Sequence, residues 1–141
     1  MKIVLDTNVL LVSISRRSRY HPVFQAFENK RFSLFVTTDI LLEYEETIGW
    51  HMGAETAKNV LEGLLRVSNL ALIQKFYYWQ LVTADPDDDK FVDCAVASNA
   101  DFLVTNDGHF NVLKKIPFPK VEILNADDFL ELLANQQEQA H

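Results

Sequence analysis

The chain has few of the features that mark disulfide-rich, zinc-binding or membrane proteins. Cys94 is the only cysteine among 141 residues, which excludes a disulfide framework and a cysteine-rich zinc site and is typical of a reducing cytoplasm. No run of about 20 apolar residues is present, and the apolar run that starts at Ile3 is interrupted by Asp6. We therefore expect a cytoplasmic protein with no membrane span and no signal peptide.

Positive charge is also scarce. Thirteen basic residues face twenty acidic ones, so the net charge is −7, which argues against nucleic-acid binding through bulk positive charge. The most basic stretch contains Arg16, Arg17 and Arg19. It is either a solvated loop or a loop that contacts phosphates.

What the sequence does contain is an alternation of apolar strand-like runs and helical patterns. This alternation predicts a three-layer α/β/α fold with a central, mainly parallel sheet of about five strands. At this length the chain should form one domain over residues 1–134, followed by a polar, frayed tail over 135–141. In the same pattern Gly49 is expected to end a helix, and Trp50 is expected to pack in the core.

An acidic run from Asp85 to Asp107 is the part that ordinary structural roles explain least. Asp85 can cap a helix that begins at Pro86, but this does not account for Asp89 and Asp93. Those two lie four residues apart, hence on one face of a helix that is apolar on nearly every side. Two buried carboxylates need a compensating cation, and a divalent metal ion would supply one.

Two further aspartates follow predicted buried strands. Asp6 comes after the first strand, and Asp107 comes after the run from Phe102 to Thr105. The carboxyl ends of parallel strands meet at one sheet edge, which is where ligands bind in open sheets. An oxygen-rich acidic pocket at this edge suits Mg²⁺ or Mn²⁺.

One of three helical glutamates could complete this pocket. Glu43 is placed at the boundary of the buried helix face, whereas Glu46 looks more exposed. The pattern alone does not decide which of Glu43, Glu45 and Glu46 enters the pocket.

The four consecutive aromatics from Phe76 to Trp79 could stack on bases, but packing against the sheet or a second subunit is the more ordinary interpretation.

Taken in order, four segments resemble the PIN-domain family of metal-dependent nucleases, in particular the VapC-like toxin components of bacterial toxin-antitoxin systems. Each segment alone is a weak signal, but the four together, spread over residues 1 to 130, are specific. They are Val4 to Leu10, Ile40 to Tyr44, Asp85 to Phe91 and Leu103 to Asp107.

The resemblance implies a set of site residues. Acids that hold one or two Mg²⁺ or Mn²⁺ ions would be Asp6, Glu43, Asp89 and Asp107, with Asp93 as a further acid found in many members. Asn8 and Thr105 would orient those carboxylates, and Arg16, Arg17 and Arg19 would contact RNA. The implied activity is hydrolysis of RNA phosphodiesters by a water that the metal activates. The implied partners are RNA and an antitoxin protein, and the aromatic stretch suggests a homodimer.

Two other functions remain open from the sequence. A metal-dependent phosphatase would use a similar acidic pocket, although Asp6-Thr7-Asn8 lacks the second aspartate of an Asp-x-Asp nucleophile motif. A catalytically silent module acting through protein or RNA binding would keep the fold without needing a repulsive cluster of acids.

Overall fold

The computed structural model describes residues 1–74, 88–117 and 119–139, without the side chains of 138 and 139. Its strands are β1 (Lys2–Leu5), β2 (Ser33–Val36), β3 (Leu70–Leu72), β4 (Phe102–Val104) and β5 (Ile123–Leu124). Its helices are α1 (Thr7–Ile14), α2 (His21–Glu28), α3 (Thr38–Met52), α4 (Ala54–Arg66), α5 (Asp89–Ser98) and α6 (Ala126–Gln139). A 3₁₀ segment spans Gly108–Lys115.

All five strands are parallel and follow the order β3-β2-β1-β4-β5. The central strand β1 is apolar on both faces, and Ile3, Val4 and Leu5 are at most 1% exposed, as expected for a parallel sheet covered by helices. The α/β class and the five-stranded parallel sheet predicted from the sequence are confirmed.

The strand order reverses at β1, and this reversal defines the functional edge. From β1 the chain adds β2 and β3 on one side, then returns to place β4 and β5 on the other. Crossovers between parallel strands are right-handed as a rule, which favours opposite faces of the sheet for the helices of the two directions. Helix α5 packs against β1, β2 and β4. The crevice beyond the carboxyl ends of β1 and β4 is the topological switch point where open α/β sheets bind ligands.

Local sequence signals fix several helix ends. The Thr37 hydroxyl accepts a hydrogen bond from the Ile40 amide and caps α3. Helix α5 ends at Ser98, and the left-handed backbone of the next residue, Asn99 (φ 53°), lets the Ala100 amide donate to the Ala95 carbonyl (3.0 Å). The structure describes this helix from Asp89, with Asp88 at its N-cap, while Asp85 and Pro86 lie outside the described residues.

Three expectations differ from the structure. Helix α3 runs past Gly49 to Met52 and ends at Gly53, because a single glycine weakens a helix without ending it. Trp50 is 76% exposed rather than in the core. Helix α6 continues beyond Ala134 to Gln139, into the segment predicted to be a frayed tail.

Among the described helices, none combines the length and the apolar content needed to cross a bilayer. The aromatic stretch from Phe76 to Trp79 falls outside the described residues, so its packing stays a prediction.

Candidate metal centre

Asp6 lies at the base of the site, directly after β1. Its amide donates to the Val104 carbonyl (3.0 Å), which extends the pairing of β1 with β4 by one residue. Its side chain is only 6% exposed, and its Oδ2 accepts a hydrogen bond of 2.7 Å from the Thr105 hydroxyl. The sheet register thus brings the residues after two neighbouring strands into contact, as the strand-end argument predicts.

The electrostatics of Asp6 show that other acids are close. Its pKa is raised above the usual 3.8, chiefly because burial disfavours the charged carboxylate, and further because the charges of Glu43 and Asp107 repel it. The Thr105 hydroxyl and the Thr7 backbone oppose this rise. Three acids from separate parts of the chain therefore share one small region.

Glu43 comes from α3 and is held on both carboxylate oxygens. The Thr7 hydroxyl, in the first turn of α1, donates to Oε2. The Lys90 ammonium, in the first turn of α5, lies 2.8 Å from Oε1. Next to Glu43 in sequence, Tyr44 is fully buried and donates from its hydroxyl to the Leu5 carbonyl (2.6 Å), which anchors α3 at the end of β1.

Asp107 is positioned by the turn that follows β4. Its amide donates to the Thr105 hydroxyl (3.0 Å), and its own Oδ1 accepts from the His109 amide (2.9 Å), capping the 3₁₀ segment. Thr105 is therefore the link between the two strand-end aspartates: it donates to Asp6 and accepts from Asp107.

A second group forms around Asp107. The ligand atoms of Asp88, Asp107 and His109 lie within 4.8 Å of one another. The His109 Nδ1 is 3.4 Å from Asp107 Oδ1 and 3.6 Å from Asp88 Oδ2. These are donors of the kind that bind a divalent ion, with the imidazole suiting Mn²⁺ and later metals better than Mg²⁺.

The structure therefore brings some of the predicted site residues together but not all of them. Asp6, Glu43 and Asp107 converge, and Thr105 bridges two of them. Of the predicted acids, only Asp107 belongs to the group within metal-ligand distance. That group does not include Asp6, Glu43, the half-buried Asp89 at the start of α5, or Asp93, which is 2% exposed one turn later. Their roles as ligands stay predictions.

In several places the contacts of the structure are not those expected for the residues that the sequence singled out. Asn8 is exposed, and its neighbour Thr7 is the residue that contacts Glu43. Arg16 and Arg17 are exposed in the turn after α1, whereas Arg19 pairs with Asp127 at the start of α6. The orienting role of Asn8 and the RNA contacts of these arginines stay predictions.

Sequence reasoning missed Thr7, Asp88, Lys90 and His109. In the sequence, Asp88 has an ordinary explanation as a favourable charge at a helix start, and His109 is one of four scattered histidines. The spacing Asp107-x-His109 directly after a buried strand is the signal that could have found the pair, but two residues at such a spacing are weak evidence.

A polar cavity opens beside Asp107. It has a volume of about 370 Å³ and lies between the ends of β4 and β5 and the start of α6. Its lining includes the amides of Asn106, Asn111 and Asn125, the ammonium of Lys114, and three acids, Asp107, Asp127 and Asp128. The amides and the lysine supply hydrogen-bond donors at the edge of the acidic cluster.

The comparisons with known proteins agree with this geometry. A family model described as "PIN domain" matches residues 2–109, whereas no protein with a curated description matches. Among solved structures, the chain is similar to VapBC2 of Rickettsia felis bound to a promoter DNA fragment, at 24% identity and a TM-score of 0.62, with 89% of this chain and 98% of that chain covered.

Two further solved structures share the fold. DNA-bound VapBC of Salmonella typhimurium matches at 16% identity and a TM-score of 0.56, covering 89% of this chain and 98% of the other. VapBC-1 of nontypeable Haemophilus influenzae matches at 15% identity and a TM-score of 0.58, covering 90% and 99%. With the family model matching most of its length and the acids meeting at the switch point of its sheet, this chain belongs to the PIN-domain family.

Proposed function

We propose that this protein is a metal-dependent endoribonuclease. The observation that carries the proposal is the convergence of Asp6, Glu43 and Asp107 from three separate elements at the switch point of the sheet. A cluster of repelling carboxylates raises the free energy of the folded protein, so its presence at a ligand-binding edge favours a function that uses the charge. Membership of a family of nucleases supports the same conclusion.

The residues present fit a divalent cation. The raised pKa of Asp6, caused first by burial and then by the charges of Glu43 and Asp107, indicates negative charge that the protein does not fully neutralise. Asp6, Glu43 and Asp107 would hold Mg²⁺ or Mn²⁺, with Asp88 or Asp89 from the start of α5 as further ligands. When bound, the ion would lower the pKa of a water and polarise the phosphate.

The protein's own residues would prepare the reaction. The Thr105 hydroxyl orients the Asp6 carboxylate through Oδ2 and also accepts from the Asp107 amide, while the His109 amide orients the Asp107 carboxylate through Oδ1. Thr7 does the same for Glu43. Lys114 and Asn111, which line the cavity beside Asp107, offer donors for a phosphate or base next to the bond to be cut.

We further propose an antitoxin as the protein partner. The solved relatives are chains of VapBC complexes, and such a partner would have to cover apolar surface. A suitable surface is the apolar groove of about 440 Å³ between α2 and α4, lined by Phe24, Phe27, Val60 and Leu64 among others. A homodimer stays a prediction.

The test of the nuclease is cleavage of a labelled mixed-sequence RNA with Mg²⁺, with Mn²⁺ and with EDTA. Glu43→Gln should abolish cleavage, because it removes a charge from the cluster. Glu46→Gln is the matched control, since Glu46 is exposed on the same helix. We expect products that carry a 5′-phosphate, and no turnover of p-nitrophenyl phosphate.

Equal cutting by both glutamine variants would mean a contaminating ribonuclease. Turnover of the monoester without RNA cleavage would favour the phosphatase instead. No cleavage together with no effect of millimolar Mn²⁺ on the melting temperature would contradict the proposal and favour a module that acts through binding alone.

A further inference from the structure

The polar cavity beside Asp107 is large enough to hold part of a substrate. Its volume of about 370 Å³ falls in the range of roughly 300–1,000 Å³ that is usual for small-molecule pockets. Asp107 lines this cavity and also belongs to the group within metal-ligand distance. A group bound in the cavity would therefore lie directly beside the proposed cleavage site.

The way in which the asparagines of the cavity are held leaves hydrogen-bond donors free. Asn106 Oδ1 accepts from the Ala126 amide (2.9 Å), and Asn125 Oδ1 accepts from the Asp128 amide (2.7 Å). Each contact orients a side-chain amide and, among the described contacts, leaves its N–H donors without an acceptor. In the described part of the chain the Lys114 ammonium likewise has no hydrogen-bond or ion-pair partner.

The cavity also has an acceptor. Of the three acids in its lining, Asp107 belongs to the candidate metal centre and Asp127 is paired with Arg19. Asp128 is exposed, and no contact of its carboxylate occurs within the described residues. Three carboxylates in the lining would repel a further phosphate group. The cavity therefore suits a neutral group that both donates and accepts hydrogen bonds.

We propose that this cavity binds one unpaired nucleobase of the RNA and that this base is guanine. The N1–H and N2–H groups of guanine lie side by side and match the two oxygens of one carboxylate, here that of Asp128. Guanine O6 and N7 accept hydrogen bonds, which Lys114 and Asn111 can donate. Ile123 adds apolar surface for the ring. Unpaired bases are usually recognised in this way, through their hydrogen-bonding edges.

The other bases match this set of groups less well. Adenine, cytosine and uracil do not present two adjacent donor groups on one edge, so each would leave an oxygen of Asp128 without a partner. Asp128 and Lys114 belong to different elements, the first turn of α6 and the 3₁₀ segment, and so can contact two edges of one base. A site built to bind such donors discriminates against a base that lacks them.

This inference rests on the proposed nuclease, and nucleotide binding in EDTA separates the two. The ¹⁵N-labelled protein is titrated with 5′-GMP and, in parallel, with 5′-AMP, 5′-CMP, 5′-UMP and inorganic phosphate. The side-chain amide signals of Asn106, Asn111 and Asn125 should shift with 5′-GMP. The affinity for 5′-GMP should exceed that for the other nucleotides by roughly tenfold, and inorganic phosphate should leave these signals unchanged.

Two variants with matched controls test the assigned residues. Asp128→Asn replaces an acceptor with a donor, and Lys114→Met removes the donors while keeping the length of the side chain. Each should lower the affinity for 5′-GMP by about tenfold. Glu131→Gln and Lys115→Met change exposed residues of the same two elements that do not line the cavity. Neither control should change the affinity.

On RNA the pocket predicts cleavage next to guanine. Mapping of the cuts in the labelled RNA should show this preference for the wild type and a weaker one for Asp128→Asn. An RNA with inosine in place of guanine lacks the 2-amino group and should be cut roughly tenfold more slowly.

The possible outcomes separate the pocket from the nuclease. Metal-dependent cleavage with no preference for guanine, or amide shifts that are absent, equal for all four nucleotides or produced by phosphate alone, would overturn the inference and leave the nuclease intact. Selective binding of 5′-GMP without any metal-dependent cleavage would support the pocket and contradict the proposed function.

Discussion

At the scale of single residues, the site combines a buried charge with few groups that neutralise it. Asp6 is 6% exposed, and the described hydrogen bonds to its carboxylate come from neutral donors, the Thr105 hydroxyl and the Thr7 backbone. Burial first, and the charges of Glu43 and Asp107 second, raise its pKa. Keeping this carboxylate buried at a position that a cation can reach therefore lowers the stability of the metal-free protein.

The first prediction concerns the pH dependence of this loss. Because the pKa of Asp6 in the folded state lies above its usual value of 3.8, protonation of Asp6 favours folding. That contribution is complete below the unfolded pKa and disappears as the pH rises through the raised folded pKa. In EDTA at neutral pH, Asp6→Asn should therefore raise the free energy of unfolding by on the order of 1 kcal/mol.

The measurement is urea unfolding of both proteins in EDTA and again with millimolar Mn²⁺. The added ion should stabilise the wild type and leave Asp6→Asn almost unchanged, because the variant lacks a ligand. A less stable Asp6→Asn in EDTA would show that the carboxylate is not repelled in the folded protein. The pH series should show the gap between the two proteins closing toward acidic pH.

The second prediction concerns Thr105, which links the two strand-end aspartates. Thr105→Val keeps the shape but removes the donor to Asp6 and the acceptor of the Asp107 amide. Leaving these buried groups unpaired should cost about 1–3 kcal/mol of stability. Thermal unfolding of Thr105→Val beside Thr105→Ser tests this, since the serine variant keeps the hydroxyl and should lose much less.

At the scale of elements, helices α3 and α4 are joined by a single special residue. Gly53 has φ 93° and ψ 155°, a backbone conformation that is essentially restricted to glycine. It ends α3 and starts α4, and these two helices pack against each other. This turn fixes the direction of α3, which carries Glu43 into the site, and Tyr44 anchors the same helix to the end of β1.

The third prediction follows from this backbone conformation. Gly53→Ala should lower the stability by about 1–3 kcal/mol because of strain, although nothing lies within 4 Å of the added methyl group. Gly63 in the middle of α4 has equally open surroundings and no positive φ. Gly63→Ala should therefore raise the stability by about 0.5–1 kcal/mol through helix propensity.

Chemical denaturation of the two alanine variants tests this directly, since they make the same substitution in the same pair of helices. Opposite signs are expected. Equal effects in both variants would show that the Gly53 conformation is not under strain when a side chain is added.

At the scale of the whole molecule, the proposed nuclease would have to bind a polyanion although its net charge is −7. Long-range repulsion should slow the association, so RNA contacts must come from local positive charge. Within the described residues, Arg16 and Arg17 are exposed in the turn after α1, while Arg19 is paired with Asp127. The first two are therefore the better candidates for phosphate contacts.

The fourth prediction is a change in the salt dependence of RNA binding. Replacing Arg16 and Arg17 together with alanine should reduce the slope of log affinity against log salt by about 0.7 for each phosphate that the protein no longer binds. The control is a double variant of α4, in which Lys58→Ala and Arg66→Ala remove the same number of positive charges from a different part of the protein. Filter binding in EDTA, where we expect no cleavage, gives both slopes, and equal slopes would exclude the arginine turn as the RNA-binding segment.

Much of the fold follows from local pattern. The apolar runs that start at Ile3 and at Phe102 predicted buried parallel strands, and Thr37, which caps α3, is of a residue type that favours helix starts. These predictions succeed because burial on both faces and helix capping depend on a few neighbouring residues. The end of α3 could not be predicted, because Gly49 and Gly53 look alike in sequence and only the backbone angle of Gly53 distinguishes them.

The sequence by itself determined which residue types could meet: aspartates after buried strands, and glutamates on one helix. Only the tertiary structure decided which of them do, since the register of β1 against β4 places Asp6 on Thr105, and the packing of α3 brings Glu43 to Thr7. Asp88, His109 and Lys90 join the site through contacts between α5, the 3₁₀ segment and α3. Such contacts depend on distances across the fold, which local sequence patterns do not encode.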